Sequence, residues 1–77
     1  MERILVVDDD QELCSLLAEY LETEGFAVEA LFDGRRVREK LLAGRFALVV
    51  LDVMLPGRSG FDVLRELRSE SDVPVLM

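Results

Sequence analysis

Four short apolar runs separated by three segments of helical period limit what this chain can fold into more than any other feature. Residues 4–7 read Ile-Leu-Val-Val, and "FAVEAL" fills 26–31. Residues 46–51 form a third run, and Val73–Met77, with Pro74 near its start, a fourth. Between the first two, Leu13, Leu16, Leu17, Tyr20 and Leu21 recur at i, i+3, i+4, i+7 and i+8, one face of a helix over 11–24. Asp10 stands at its N-cap position, Glu12 lies in the first turn where the helix dipole favours an acid, and Gly25 follows as a stop. Asp33-Gly34 breaks the second strand, and Asp33 is placed to cap a helix over 35–43 that turns Val37, Leu41 and Leu42 inward and ends at Gly44. A third helix, 61–69, carries Phe61, Leu64 and Leu67, with Ser59 as its cap and Asp62 three residues on.

Strands that alternate with helices of about ten residues pair in parallel through right-handed crossovers, with helices on both sheet faces. Buried parallel strands are continuous apolar runs, as the first and third are. The expectation is one α/β domain ordered βαβαβαβ, without internal repeat or low-complexity linker.

The chemistry open to such a domain is narrowed by what is missing. With no histidine and one cysteine, Cys14, the chain has no internal disulfide, no His-based metal site and no Ser-His or Cys-His nucleophile pair. Cys14 itself reads as a small hydrophobe on a helix flank. A net charge of −7 disfavours nucleic acid as a direct ligand and favours divalent cations and basic partner surfaces. No apolar run approaches the roughly 18 residues of a membrane span, and nothing resembles a secretory signal, so a cytoplasmic protein is expected.

Two of the apolar runs end in acids. Asp8, Asp9 and Asp10 follow the first, and Asp52 follows Ala47–Leu51, with Pro56-Gly57 close behind. In open parallel sheets ligands bind beyond the carboxyl ends of the strands, where the strand order reverses. If the first and third strands are neighbours, Asp8, Asp9 and Asp52 meet in one crevice. Like charges so placed call for a cation, and an oxygen-only donor set points to Mg²⁺ or a similar hard ion, suited to phosphate chemistry. An aspartate at a strand end also serves as a helix cap or turn former, and Asp10 is read that way. Asp52 is not, because the next helix begins well beyond it and Ser59 is better placed to cap that helix.

These residues, "ILVVDDD" and "LDVMLPGRSGFDVL" with the spacing between them, resemble the receiver (CheY-like) domain of two-component response regulators. The string Asp52-x-Met54-Leu55-Pro56-x-x-x-Gly60 is the specific part, and "DDDQELCSLLAEYLETEGF" is similar to the OmpR-type transcriptional regulators. The resemblance spans all 77 residues. It implies a flavodoxin-like doubly wound parallel sheet. It implies Asp52 as the phosphoacceptor for a sensor histidine kinase, with Asp9 on Mg²⁺ directly and Asp8 directly or through water. Asp52 would be shared between metal and phosphate, the Met54 backbone carbonyl would be a further ligand, and Pro56 and Gly60 would shape the loop. The family docks kinases mainly near the first helix and the loops around the acids, so the resemblance implies partner contact at residues 13–20 and 56–60. DNA would be reached only through an effector domain.

The same resemblance implies a longer fold, continuing to a fifth strand. The family's Ser or Thr after strand four and Lys after strand five have no counterpart here, since Lys40 does not match that motif. The receiver is therefore expected to be incomplete over 1–77, truncated after strand four. Either the remainder lies elsewhere, or the chain completes itself as a homodimer or a domain-swapped assembly.

Three rival readings fit parts of this pattern. An aspartate-nucleophile phosphohydrolase carries a second acid two residues after the nucleophile, where this chain has Met54. A calcium loop of the EF-hand type fails on the contiguity of the acids. A receiver-like module that binds partners without being phosphorylated remains as the alternative. The basic group Arg35, Arg36, Arg38 and Lys40 reads as a solvated helix face before it reads as a docking patch.

Overall fold

The computed structural model describes residues 1–77. Strands β1 (Arg3–Val7), β2 (Ala27–Leu31), β3 (Leu48–Leu51) and β4 (Val75–Leu76) alternate with helices α1 (Gln11–Thr23), α2 (Val37–Ala43) and α3 (Gly60–Arg68). All strand pairs are parallel, in the order β2-β1-β3-β4. This is the doubly wound α/β sheet expected, and its order reverses between β1 and β3. Val7 lies opposite Leu31 on one side and Leu51 on the other, so the three strands end level.

The sheet separates two apolar layers. Leu5, Val7, Val49 and Leu51 face α2 and α3, where they meet Val37, Leu41, Val63 and Leu67. Ile4 and Val6 face α1 and pack with Cys14, flanked by Leu17, Leu21, Val28 and Val50. β1 is buried from both sides, which is why Ile4–Val7 is an unbroken apolar run.

The helix caps explain where the helices start. The Asp10 carboxylate accepts the Leu13 N–H at 3.0 Å, and the Ser59 hydroxyl accepts the Phe61 N–H at 3.1 Å. Gly25, at φ +95°, ends α1 in a conformation that glycine adopts without steric cost.

Several local expectations are corrected. The inward stripe of α1 is buried Cys14 with half-buried Leu17 and Leu21, while Leu13, Leu16 and Tyr20 are exposed. The apolar arc of this helix is wider than the sheet can cover, and spacing alone does not say which edge packs. Leu42 and Phe61 likewise face solvent, and α3 buries Gly60, Val63 and Leu67. α2 begins at Val37, not at residue 35, with Arg36 at its N-cap and no side-chain cap. Asp33 instead accepts the Arg35 N–H at 2.9 Å and closes the turn before the helix. Asp62 pairs with Arg65 at 2.8 Å. β3 and β4 are shorter than the runs that announce them, because pairing with β1 and β3 covers only part of each.

Candidate metal and phosphoacceptor site

Backbone ladders carry the acids into place. The parallel pairing continues one step past the strands: the Asp8 N–H donates to the Leu31 carbonyl at 3.0 Å, and the Asp52 N–H donates to the Val7 carbonyl at 2.9 Å. Asp8 and Asp52 are thereby fixed at the switch point between β1 and β3, both half-buried, with Asp9 exposed beside them. One carboxylate oxygen from each of Asp8, Asp9 and Asp52 lies within 4.8 Å of the others. The convergence expected from the sequence is present.

Neighbouring main chain orients two of the three. Asp8 Oδ1 accepts the Asp10 N–H at 3.0 Å, and Asp52 Oδ1 accepts the Met54 N–H at 3.3 Å. None of the seven ion pairs in the chain involves these acids. At 4.8 Å, the upper limit of these separations, two unit negative charges repel by about 1 kcal/mol at the dielectric of water and by about 3–4 kcal/mol at an effective value of 20. A site so charged and without a basic side chain suits a hard cation. Ligand oxygens about 2.1 Å from Mg²⁺ stand about 3–4 Å apart, so three oxygens within 4.8 Å of one another are close enough to share such an ion.

The β3–α3 loop closes the site from one side. A Cβ on Gly60 would stand 2.2 Å from the Asp52 carbonyl oxygen and 2.8 Å from Val53 Cα, so only glycine lets α3 start there. Its N–H donates to the Val53 carbonyl at 2.7 Å. Met54 bridges to Ser59 in antiparallel fashion while its side chain is 82% exposed, which leaves its main chain as the only part oriented by the loop. Gly57 turns the loop at φ +81°.

Cys14 lies under the acids without joining them. It is buried, and its thiol donates to the Asp8 carbonyl with Sγ 3.4 Å away. Burial pushes its pKa up, and the charges of Asp8, Asp10 and Asp9 push in the same direction.

The basic group is not a free patch. Arg35 pairs with Asp33, Arg36 with Glu39, Arg38 with Glu70 and Lys40 with Glu29. Two features went unread in the sequence. The Leu31 carbonyl holds Asp8, a main-chain role with no side-chain signal. Gly34 is buried against the β3–α3 loop, and the Asp33-Gly34 pair marked only a break.

The response regulator receiver domain family matches residues 4–77. The transcriptional regulatory protein CpxR of Escherichia coli is 48% identical over 77 residues, which is all of this chain and 33% of CpxR. The chain thus spans about a third of the length of the curated relatives it matches. Among solved structures, the response regulator TrrA of Thermotoga maritima in complex with Mg²⁺-BeF aligns with a TM-score of 0.86 and 39% identity, over 92% of this chain and 62% of that one. A complex of the histidine kinase ThkA with TrrA aligns at 0.91 and 38%, over 97% of this chain and 66% of that one. With the sheet order, the acids at its switch point and the family match over nearly every residue, this chain belongs to the response regulator receiver domains.

Proposed function

We propose that Asp52 is the phosphoacceptor of a two-component pathway, receiving a phosphoryl group from a sensor histidine kinase. The observation that carries this reading is the cluster of Asp8, Asp9 and Asp52 within 4.8 Å, uncompensated by any arginine or lysine, at the carboxyl ends of β1 and β3. An Asp52 carboxylate oxygen attacks the phosphorus of a phosphohistidine; the P–O bond forms as the P–N bond breaks, and the leaving imidazole takes up a proton from solvent. Carboxylates form such covalent intermediates, and the transition state needs alignment and charge neutralisation more than covalent help from the protein. Asp8, Asp9, Asp52 and the Met54 carbonyl would hold Mg²⁺, which supplies neutralisation of the phosphoryl oxygens when bound. The Val7–Asp52 hydrogen bond and the Gly60 contact fix the nucleophile's backbone. The partner brings the histidine, so the absence of one here is consistent with the role.

Leu13, Leu16 and Tyr20 are exposed on α1, which follows Asp8–Asp10 in the chain, and the 56–60 loop follows Asp52; exposed apolar side chains on that helix support kinase contact there. Control of transcription would run through an effector domain that touches DNA, as the lengths of the relatives suggest.

Incubation of the protein with Mg²⁺ and acetyl phosphate, followed by mass spectrometry, tests the assignment. The expected result is a mass increase of one phosphoryl group, lost in Asp52→Asn. No increase in the parent would favour the alternative, a receiver-shaped module that binds partners unphosphorylated.

A further inference from the structure

The turn between β2 and α2 grips the β3–α3 loop at points that the phosphoryl chemistry does not use. Gly34 is buried, and its N–H donates to the Pro56 carbonyl at 3.5 Å. A Cβ on Gly34 would lie 3.1 Å from Val63 Cγ2, 3.2 Å from Arg58 Cβ and 3.4 Å from Leu55 Cδ1. One residue on, the stem of Arg35 crosses Gly57: a Cβ there would meet Arg35 Cγ at 3.1 Å and Cδ at 3.2 Å. Asp33 holds Arg35 in that pose, accepting its N–H at 2.9 Å and its Nη2 at 3.0 Å. From the other side, Arg58 is tied to Glu66 at 2.7 Å and to the Asp62 carbonyl at 3.3 Å. Leu55–Arg58 is thus held between two elements, and Met54 precedes it directly.

We propose that the Asp33–Gly34–Arg35 turn positions the Leu55–Arg58 loop, and through it the Met54 main chain, so that it sets the affinity of the acid cluster for a divalent cation. The inference rests on the reading of Met54 as a ligand given above. Gly34 and Arg35 are positioning residues, touching neither ion nor phosphoryl group. Mg²⁺ demands near-ideal octahedral geometry, so a carbonyl displaced by a few tenths of an ångström binds it poorly. Groups that orient ligands in this way typically alter metal affinity by about 10–100-fold.

Mg²⁺ titration of the intact protein by calorimetry, beside its urea unfolding without metal, tests this. Gly34→Ala forces the packed contacts apart and is expected to weaken Mg²⁺ binding by about 10-fold. Arg35→Ala should weaken it less, and Arg35→Lys, which keeps an aliphatic stem over Gly57, should recover most of the loss. In metal-free Arg35→Ala the amide resonances of Met54 and Leu55 should shift. A merely structural role would lower the urea midpoint and leave the Mg²⁺ affinity of the folded variants unchanged, and that result overturns the proposal. Should Gly34→Ala not fold, Arg35→Ala, whose side chain is largely exposed, carries the test alone. A parent that binds no Mg²⁺ at all overturns the reading of the acid cluster, and this proposal with it. Binding in the parent that the variants match overturns the positioning role only.

Discussion

Asp8 and Cys14 illustrate how one residue serves two layers of the molecule. The Asp8 side chain faces the acid cluster while its carbonyl accepts from the Cys14 thiol in the layer below. Thiolate, not thiol, is the nucleophile, and both burial and the adjacent carboxylates disfavour it here. Cys14 is therefore expected to resist a disulfide reagent at pH 8 in the native protein and to react at once in urea; rapid native labelling, followed by absorbance, would contradict this. The convergence of the acids was legible in the sequence because two buried runs end in them, and Asp52 has no helix close enough to cap. The role of Gly34 was not, because it depends on Leu55, Arg58 and Val63, which are distant in the chain and leave no local trace.

At the scale of elements, α2 and the turn after α3 are joined by a two-pronged pair in which Arg38 Nε and Nη2 both bind the Glu70 carboxylate, the latter at 2.8 Å. Hydrogen bonding from Arg38, followed by its charge, holds the Glu70 carboxyl below the usual range. A carboxylate depressed on folding adds stability above its unfolded pKa and loses it as the pH falls through the folded value. The stability difference between parent and Glu70→Gln, measured by urea unfolding, should therefore shrink on acidification below about pH 4.5. It should also shrink in high salt, since the pair is exposed to solvent. Helix faces give a second prediction. Leu67→Ala, at a site 1% exposed, should cost about 2–5 kcal/mol, whereas Phe61→Ala, at 56%, should cost under about 1 kcal/mol. Helix identity was legible from periodicity, and strand identity from apolar runs bounded by turns. The packed edge of each helix was not, because a broad apolar arc such as Leu13–Leu21 fits the sheet at more than one rotation.

For the whole molecule, stability of roughly 4–12 kcal/mol is the ordinary range for 77 residues, and only 14 of them are buried. Against that margin the three uncompensated carboxylates weigh heavily. Asp9→Asn is expected to raise the urea midpoint of the metal-free protein by relieving two repulsions. Mg²⁺ at about 100 times its dissociation constant should add about 2.7 kcal/mol to the parent and much less to the variant, with EDTA reversing the gain. Equal gains in both would place the cation elsewhere. The peptide N–H of Asp52 is pinned to Val7 and its carbonyl abuts Gly60, so its main chain is held from β1 and from the start of α3. A group added to that carboxylate would meet a main chain already tied on both sides.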